Sequence, residues 1–221
     1  MKKRNDIYFA ISGGLLSLFI LFTVAVMVIN VKPVGPQNSL VGFSAMNKWI
    51  HDLLGVNMLL YNITDWLGLV AIFVAFGFGI LGFVQLVKRK KLLRVDSSIL
   101  VLGGFYLLVF SCYAFFEFNI VNYRPILING ILEASYPSST TMLVMCIMPT
   151  AMMQFKRLIP KKPIRTVINI LCGMFTAFMV IGRLLSGVHW FTDIMAGILF
   201  SVTLIMLYFS VNRYIDSRTE S

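Results

Sequence analysis

The feature that most constrains this 221-residue chain is a succession of apolar runs, each long enough to cross a lipid bilayer. They cover Ile7 to Ile29, Trp66 to Val87, Ser98 to Phe118, Pro137 to Phe155, Val167 to Leu185 and Trp190 to Val211. A bilayer core takes about 20 apolar helical residues per crossing, and only helices or closed barrels satisfy their backbone groups inside it. Six crossings leave short connections and no room for a separate soluble domain. The charged fraction of 13% lies far below the ~25% of a soluble domain, so an ordinary cytosolic enzyme is excluded, and so is a disordered chain. The pattern predicts an all-α polytopic membrane protein with six transmembrane helices. It predicts a single domain over residues 1–221.

The first run follows Lys2-Lys3-Arg4, as a signal peptide would. It is longer than the 7–15 apolar residues of a signal sequence and lacks a small-residue exit, so it is read as a retained helix. The segment from Val31 to Asp65 is mixed in polarity and holds Pro33 and Pro36. Within it, Leu40 to Leu60 has apolar residues at helical spacing around Trp49 and Asn47-Lys48, which predicts an amphipathic helix on the outer membrane surface.

The formal net charge is +10, which in a soluble protein would suggest nucleic acid. Here its distribution matters more. With the N-terminus inside, the inner segments collect Lys2, Lys3, Arg4, Lys88, Arg89, Lys90, Lys91, Arg94, Lys156, Arg157, Lys161, Lys162, Arg165, Arg213 and Arg218. The outer side keeps Lys32, Lys48, Arg124 and Arg183. This skew predicts cytoplasmic termini by the positive-inside rule and gives the basic clusters to topology and anionic lipid. No nucleic-acid partner is expected. Cys112, Cys146 and Cys172 each fall inside an apolar run, so neither a disulfide framework nor a metal site is expected.

The outer ends of the later runs then carry the chemistry. His189 and Asp193 are four residues apart, so on a helix they share a face. A carboxylate there can accept one imidazole N–H and leave the other nitrogen free as nucleophile or base. Arg183 and Arg124 offer planar donor forks that suit phosphate. Tyr136-Pro137-Ser138-Ser139-Thr140 reads as a helix start, whose unpaired N–H groups make an anion cradle.

These segments together resemble the type-2 phosphatidic-acid phosphatase family of integral-membrane lipid phosphate phosphatases. Arg183, His189 and Asp193 fit its S-R-x5-H-x3-D motif, Arg124-Pro125 fits K-x6-R-P, and Pro137-Ser138 fits P-S-G-H. The resemblance implies a phosphorylated lipid substrate, no metal or other cofactor, and a site at the outer face of the cell membrane within residues 117–193. It implies a His189 phosphohistidine oriented by Asp193, with Arg124, Arg183 and the Ser138-Ser139 backbone on the phosphoryl oxygens.

The departures bear on activity. Glu117 stands where the family has lysine, Ser139 replaces glycine and Gly182 replaces serine. Thr140 stands where the family's histidine protonates the leaving oxygen, and a threonine hydroxyl is a poor proton donor near neutral pH. A missing general acid costs about 10²–10⁴ in rate, least when the leaving group is itself a phosphate. A polyprenyl diphosphate is therefore expected to be cleaved better than a monophosphate such as phosphatidate or phosphatidylglycerophosphate. Glu117 or His51 could supply the acid, although a structural role is the simpler reading of each, and Glu133 reads as solvated loop. The alternative to an altered phosphatase is a non-catalytic relative that binds or moves lipid phosphates. The residues do not define the oligomeric state.

Overall fold

The computed structural model describes residues 2–219, with side chains placed from residue 5 to residue 218. The inner cluster Lys2, Lys3 and Arg4 thus lies outside the described side chains. Helix accounts for 78% of the chain, and no β-strand occurs among the described residues. The helices are α1 (Lys2–Val28), α2 (Ser44–Leu54), α3 (Met58–Arg89), α4 (Ser97–Phe118), α5 (Ser139–Leu158), α6 (Lys162–Leu185) and α7 (Phe191–Thr219).

Five of these, α1, α3, α4, α6 and α7, are long and apolar enough to cross a membrane. This is a multi-pass membrane architecture. The remaining expected span, α5, falls short in apolar character for a packing reason. It sits inside the bundle against α3, α6 and α7, where polar side chains find partners in protein rather than lipid. Thr150 donates to the Cys146 carbonyl at 2.7 Å. Gln154 donates to the Ser98 carbonyl at 3.1 Å and to the Tyr208 hydroxyl at 2.6 Å.

α1 and α7 lie antiparallel along their length. Asn5 donates to the Ser217 hydroxyl at 2.8 Å, Ser12 and Ser210 pair at 3.2 Å, and Phe19 stacks on Phe200 with centroids 4.3 Å apart. α3 turns into α4 through a polar knot. Gln85 and the Asp96 carboxylate and backbone N–H bond reciprocally, while Arg89 reaches Asp96 at 2.7 Å. The Arg89 guanidinium holds the Asp96 carboxyl below the usual carboxylate range.

The surface segment forms α2, shorter than its sequence pattern because Gly55 ends it with a positive φ. α3 then begins well before Trp66. α2 presents Trp49 and Leu53 outward, as an interfacial helix does. Its buried Asn47 turns inward, donating to the Thr192 hydroxyl at 2.9 Å and accepting from the Thr192 N–H at 3.1 Å. This side chain caps α7, whose first N–H groups have no intrahelical acceptor. Gly187 permits the same junction. It adopts φ +67°, and a Cβ there would come within 1.9 Å of the Gly55 carbonyl oxygen, so only glycine fits.

Candidate active site

The site is assembled by three chain segments at the α2 end of the bundle. The first is the connection between α4 and α5. Asn129 and Gly130 both have positive φ, +51° and +80°, which is the two-residue turn that closes a β-hairpin. Ile128 and Ile131 exchange both backbone hydrogen bonds, at 3.0 and 2.9 Å. Farther along, Tyr123 bridges Ala134, the Arg124 N–H donates to the Glu133 carbonyl at 3.0 Å, and the Ser135 N–H donates to the Asn122 carbonyl at 2.9 Å. Side chains alternate along extended backbone, so Asn122, Arg124, Glu133 and Ser135 share one face. That face covers His189.

The second segment is the α6–α7 corner. Arg183 lies in the last turn of α6 and is 1% exposed, while His189 and Asp193 are buried beside it. Gly182 lies against α3, where an added Cβ would sit 2.7 Å from the Thr64 methyl, which favours glycine over the serine of the resembled motif. Asp193 stands at the third position of α7 and accepts from the Trp190 N–H at 2.9 Å, a capping role for its carboxylate. Asn122 donates to its other oxygen at 3.2 Å.

The imidazole of His189 sits between two unlike surroundings. Nε2 faces Arg183 Nη2 at 3.1 Å and Arg124 Nη1 at 3.3 Å. Guanidinium groups only donate, so Nε2 is the acceptor and the proton resides on Nδ1. Nδ1 lies 3.0 Å from Ser135 Oγ and 3.2 Å from the Ser135 carbonyl. The Asp193 carboxylate is 4.0 Å away, too far for a direct hydrogen bond. Ser135 Oγ closes the gap by donating to Asp193 Oδ2 at 2.5 Å. The polarity of the chain follows: His189 Nδ1–H donates to the Ser135 hydroxyl, which donates to the Asp193 carboxylate. Burial first, then the charges of Arg124 and Arg183, push the His189 pKa well below its ordinary value. The ring is neutral at neutral pH, with its lone pair aimed at the arginines.

The arginines are held from behind. Arg124 Nε meets Glu133 at 3.0 Å, so Glu133, read from sequence as solvated loop, is an arginine partner. Arg183 meets Asp65 at 3.5 Å. Both guanidiniums lie over the Tyr61 ring, at 5.9 and 4.9 Å from its centroid.

The third segment is the start of α5. A cavity of about 270 Å³ opens between it, α4 and the hairpin, lined by His189, Arg124, Ser135, Ser139, Glu117 and Glu133 among others. Glu117 is exposed at the last turn of α4. Ser138 is fully buried, and its N–H donates to the Asp193 carbonyl at 3.0 Å. Helix geometry leaves the next N–H groups, beginning with Ser139, without intrahelical acceptors. Thr140 does not line the cavity; its methyl faces α3, 3.3 Å from where a Cβ on Gly68 would lie. His51 lies against Trp190, with ring centroids 5.5 Å apart, and does not line the cavity either. No group of three His, Cys, Asp or Glu side chains able to hold a metal ion occurs among the described residues.

A family model, described as the PAP2 superfamily, matches residues 98–216, which include both arginines, the hairpin, His189 and Asp193. The chain belongs to the PAP2 superfamily. Its fold matches the crystal structure of the first transmembrane PAP2 type phosphatidylglycerolphosphate phosphatase from Bacillus subtilis. The match has a TM-score of 0.62 and 18% identity, over 92% of this chain and 96% of that one. Among curated proteins, none matches.

Two site residues escape sequence reasoning. Ser135 and Asn122 sit beside motif positions but outside them. The detectable signal was Asn129-Gly130 between apolar residues, a two-residue hairpin turn that folds Asn122 and Ser135 into register.

Below the cavity, an apolar groove of about 700 Å³ runs between α3 and α4. Gly79, Gly103 and Gly104 hollow it; an added Cβ at any of them would meet nothing within 4 Å. Along α4, the groove ends at Phe110 and the cavity begins at Tyr113.

Proposed function

We propose that this chain is a membrane lipid phosphatase that works through a phosphohistidine on His189. The observation that carries the reading is the His189 Nε2 lone pair, which faces two buried arginines while Nδ1–H is anchored through Ser135 to Asp193. A phosphoryl group entering the cavity would take the arginine donors on its equatorial oxygens and meet Nε2 in line. The new bond is Nε2–P and the bond broken is P–O to the leaving group. Asp193 stabilises the cation that develops on the ring, acting through the Ser135 hydroxyl. Water then attacks phosphorus, the P–N bond breaks and inorganic phosphate leaves. The free N–H of Ser139 would cradle one oxygen. No residue in this scheme calls on a metal or other cofactor.

The lipid tail would lie in the groove between α3 and α4, which continues the cavity along α4. By the length of α4 from Ile99 to Phe110, at about 1.5 Å per residue, it accepts an extended chain of roughly 17 Å. That length suits one extended hydrocarbon chain across about half of the bilayer core. We place the whole chain in the cell membrane as one six-span domain, α5 being the sixth span. Both termini are cytoplasmic, by the basic residues at the α3–α4 and α5–α6 turns, which puts His189 at the outer face.

Thr140 faces α3 and Glu117 is exposed, so neither stands as a buried proton donor to the leaving oxygen. An alkoxide leaving group requires that proton far more than a phosphate does. Phosphate release from a polyprenyl diphosphate and a matched monophosphate, with wild type and Glu117→Gln, tests this reading. The diphosphate is expected to be the faster substrate, and Glu117→Gln to slow either one by less than about threefold. A loss of about 10²-fold or more confined to the monophosphate would make Glu117 the donor. Acid-labile phosphate trapped on the protein, lost in His189→Ala, establishes the intermediate; lipid phosphate binding without release or trapping would make the chain a binder.

A further inference from the structure

The opposite end of the bundle, where α5 and α7 finish, has a cleft that the phosphatase chemistry does not use. It encloses about 370 Å³ between the two helices. Its floor is Gln154, 1% exposed. Both amide protons of Gln154 are engaged, on the Ser98 carbonyl and the Tyr208 hydroxyl. Its carbonyl oxygen Oε1 is buried and accepts from no donor. The Ser98 carbonyl fixes this orientation, because a rotated amide would set two oxygens against each other. A buried acceptor without a partner opposes folding, so the cleft favours an occupant that brings a hydroxyl or amine hydrogen.

The rim supplies the second requirement. Arg157 and Asp216 cancel in an ion pair at 2.7 Å. Lys156 and Arg213 also line the cleft, and neither has a carboxylate partner among the described residues. Arg213 lies over the Phe209 ring at 6.0 Å, which keeps its charge at the cleft mouth. The remaining field is positive, so the occupant is anionic. The apolar flank of Met153 and Phe209 continues onto the membrane-spanning parts of α5 and α7, so the occupant also has a hydrocarbon part.

We propose that this cleft binds one anionic phospholipid with a hydroxyl-bearing headgroup of the phosphatidylglycerol type. The phosphate lies between Lys156 and Arg213, and a headgroup hydroxyl donates to Gln154 Oε1. The lipid braces the far ends of α5 and α7, whose near ends carry Ser139 and the His189 corner. It is a resident of the membrane face opposite the candidate active site and is not turned over there.

Native mass spectrometry of the full chain in mild detergent tests this, with Arg124→Ala and Arg183→Ala together as background so that the phosphatase site loses both of its arginine donors. The probes share acyl chains: phosphatidylglycerol, phosphatidylmethanol (the same single charge, no free hydroxyl) and phosphatidylcholine. Phosphatidylglycerol is expected to be retained at one copy per chain, about tenfold over phosphatidylcholine and severalfold over phosphatidylmethanol. Lys156→Ala with Arg213→Ala, both exposed positions, should abolish the preference over phosphatidylcholine. Gln154→Leu, where it folds, should abolish only the preference over phosphatidylmethanol. Equal retention of phosphatidylglycerol and phosphatidylcholine would overturn the site, as would a preference that survives the double substitution. Equal retention of phosphatidylglycerol and phosphatidylmethanol in the background protein would overturn the hydroxyl assignment. Displacement by glycerol 3-phosphate as effective as by lipid would make the ligand a free phosphate instead.

Discussion

At the α6–α7 corner, the polar side chains Arg183, His189 and Asp193 are all buried and turn toward one another. At the start of α5, a comparable run of polar residues scatters. Ser138 faces the interior, Ser139 faces the cavity and Thr140 faces α3. What the corner offers a ligand is its side chains, gathered around one imidazole. The start of α5 is a support, held to the corner by the Ser138 N–H on the Asp193 carbonyl, and what it offers a ligand is backbone.

Substitutions that treat the two regions differently sharpen that contrast. The largest effect belongs to His189→Ala, for which phosphate release is expected to fall by about 10³-fold or more while the thermal midpoint stays near wild type. Next is Ser135→Ala, which breaks the relay from Nδ1 to Asp193. A loss of about ten- to a hundredfold in kcat is expected, the size seen when a group orienting a histidine is removed. Ser135→Thr, which restores a hydroxyl, should recover most of it; a purely packing role would not distinguish the two. Ser139→Pro probes the support. Proline is tolerated at a first helical position but removes the N–H, so kcat/KM should fall by about tenfold or more with the helix content by circular dichroism unchanged.

The pH dependence gives a smaller but directional test. Because burial and two guanidiniums lower the His189 pKa, the acid limb of kcat/KM should lie below the ordinary histidine value of about 6.5. Arg124→Gln removes one of those charges, so the limb should move to higher pH. The sign for stability follows from the same shift. As pH falls through about 6.5 the unfolded chain takes up a proton that the folded site refuses, so stability drops toward acid. The smallest expected effect is that of Thr140→Val, less than about threefold on turnover, since the side chain faces Gly68. A large loss there would return Thr140 to the chemistry and erase the contrast.

Much of the fold was legible because membrane spans announce themselves by apolar length. The third span, read as Ser98 to Phe118, is α4 to within a residue. The second began at Trp66 in the sequence and at Met58 in the structure, because a helix continues past the bilayer wherever its residues still favour one; Asp65 thereby comes to face Arg183. α5 was the hardest to judge by hydropathy, since a helix surrounded by protein carries Thr150 and Gln154 at no cost in lipid. In the site, Arg124, Arg183, His189 and Asp193 meet, as their order along the chain suggested. Direct contact between His189 and Asp193 is replaced by a bridge through Ser135, which no helical spacing could disclose. It depends on pairing across a hairpin, a contact between residues distant in sequence that is set by an Asn-Gly turn.

The two guanidiniums above Tyr61 converge on a single neutral nitrogen, with Asp65 and Glu133 answering them only from the rim. Two like charges packed together are a standing opposition to folding, which any bound oxyanion relieves. The protein should therefore report its ligand through its own melting. An anion present at a hundred times its dissociation constant raises stability by about 2.7 kcal/mol. Vanadate, sulfate and phosphate in the purification buffer would rank themselves by thermal midpoint before any lipid is tried.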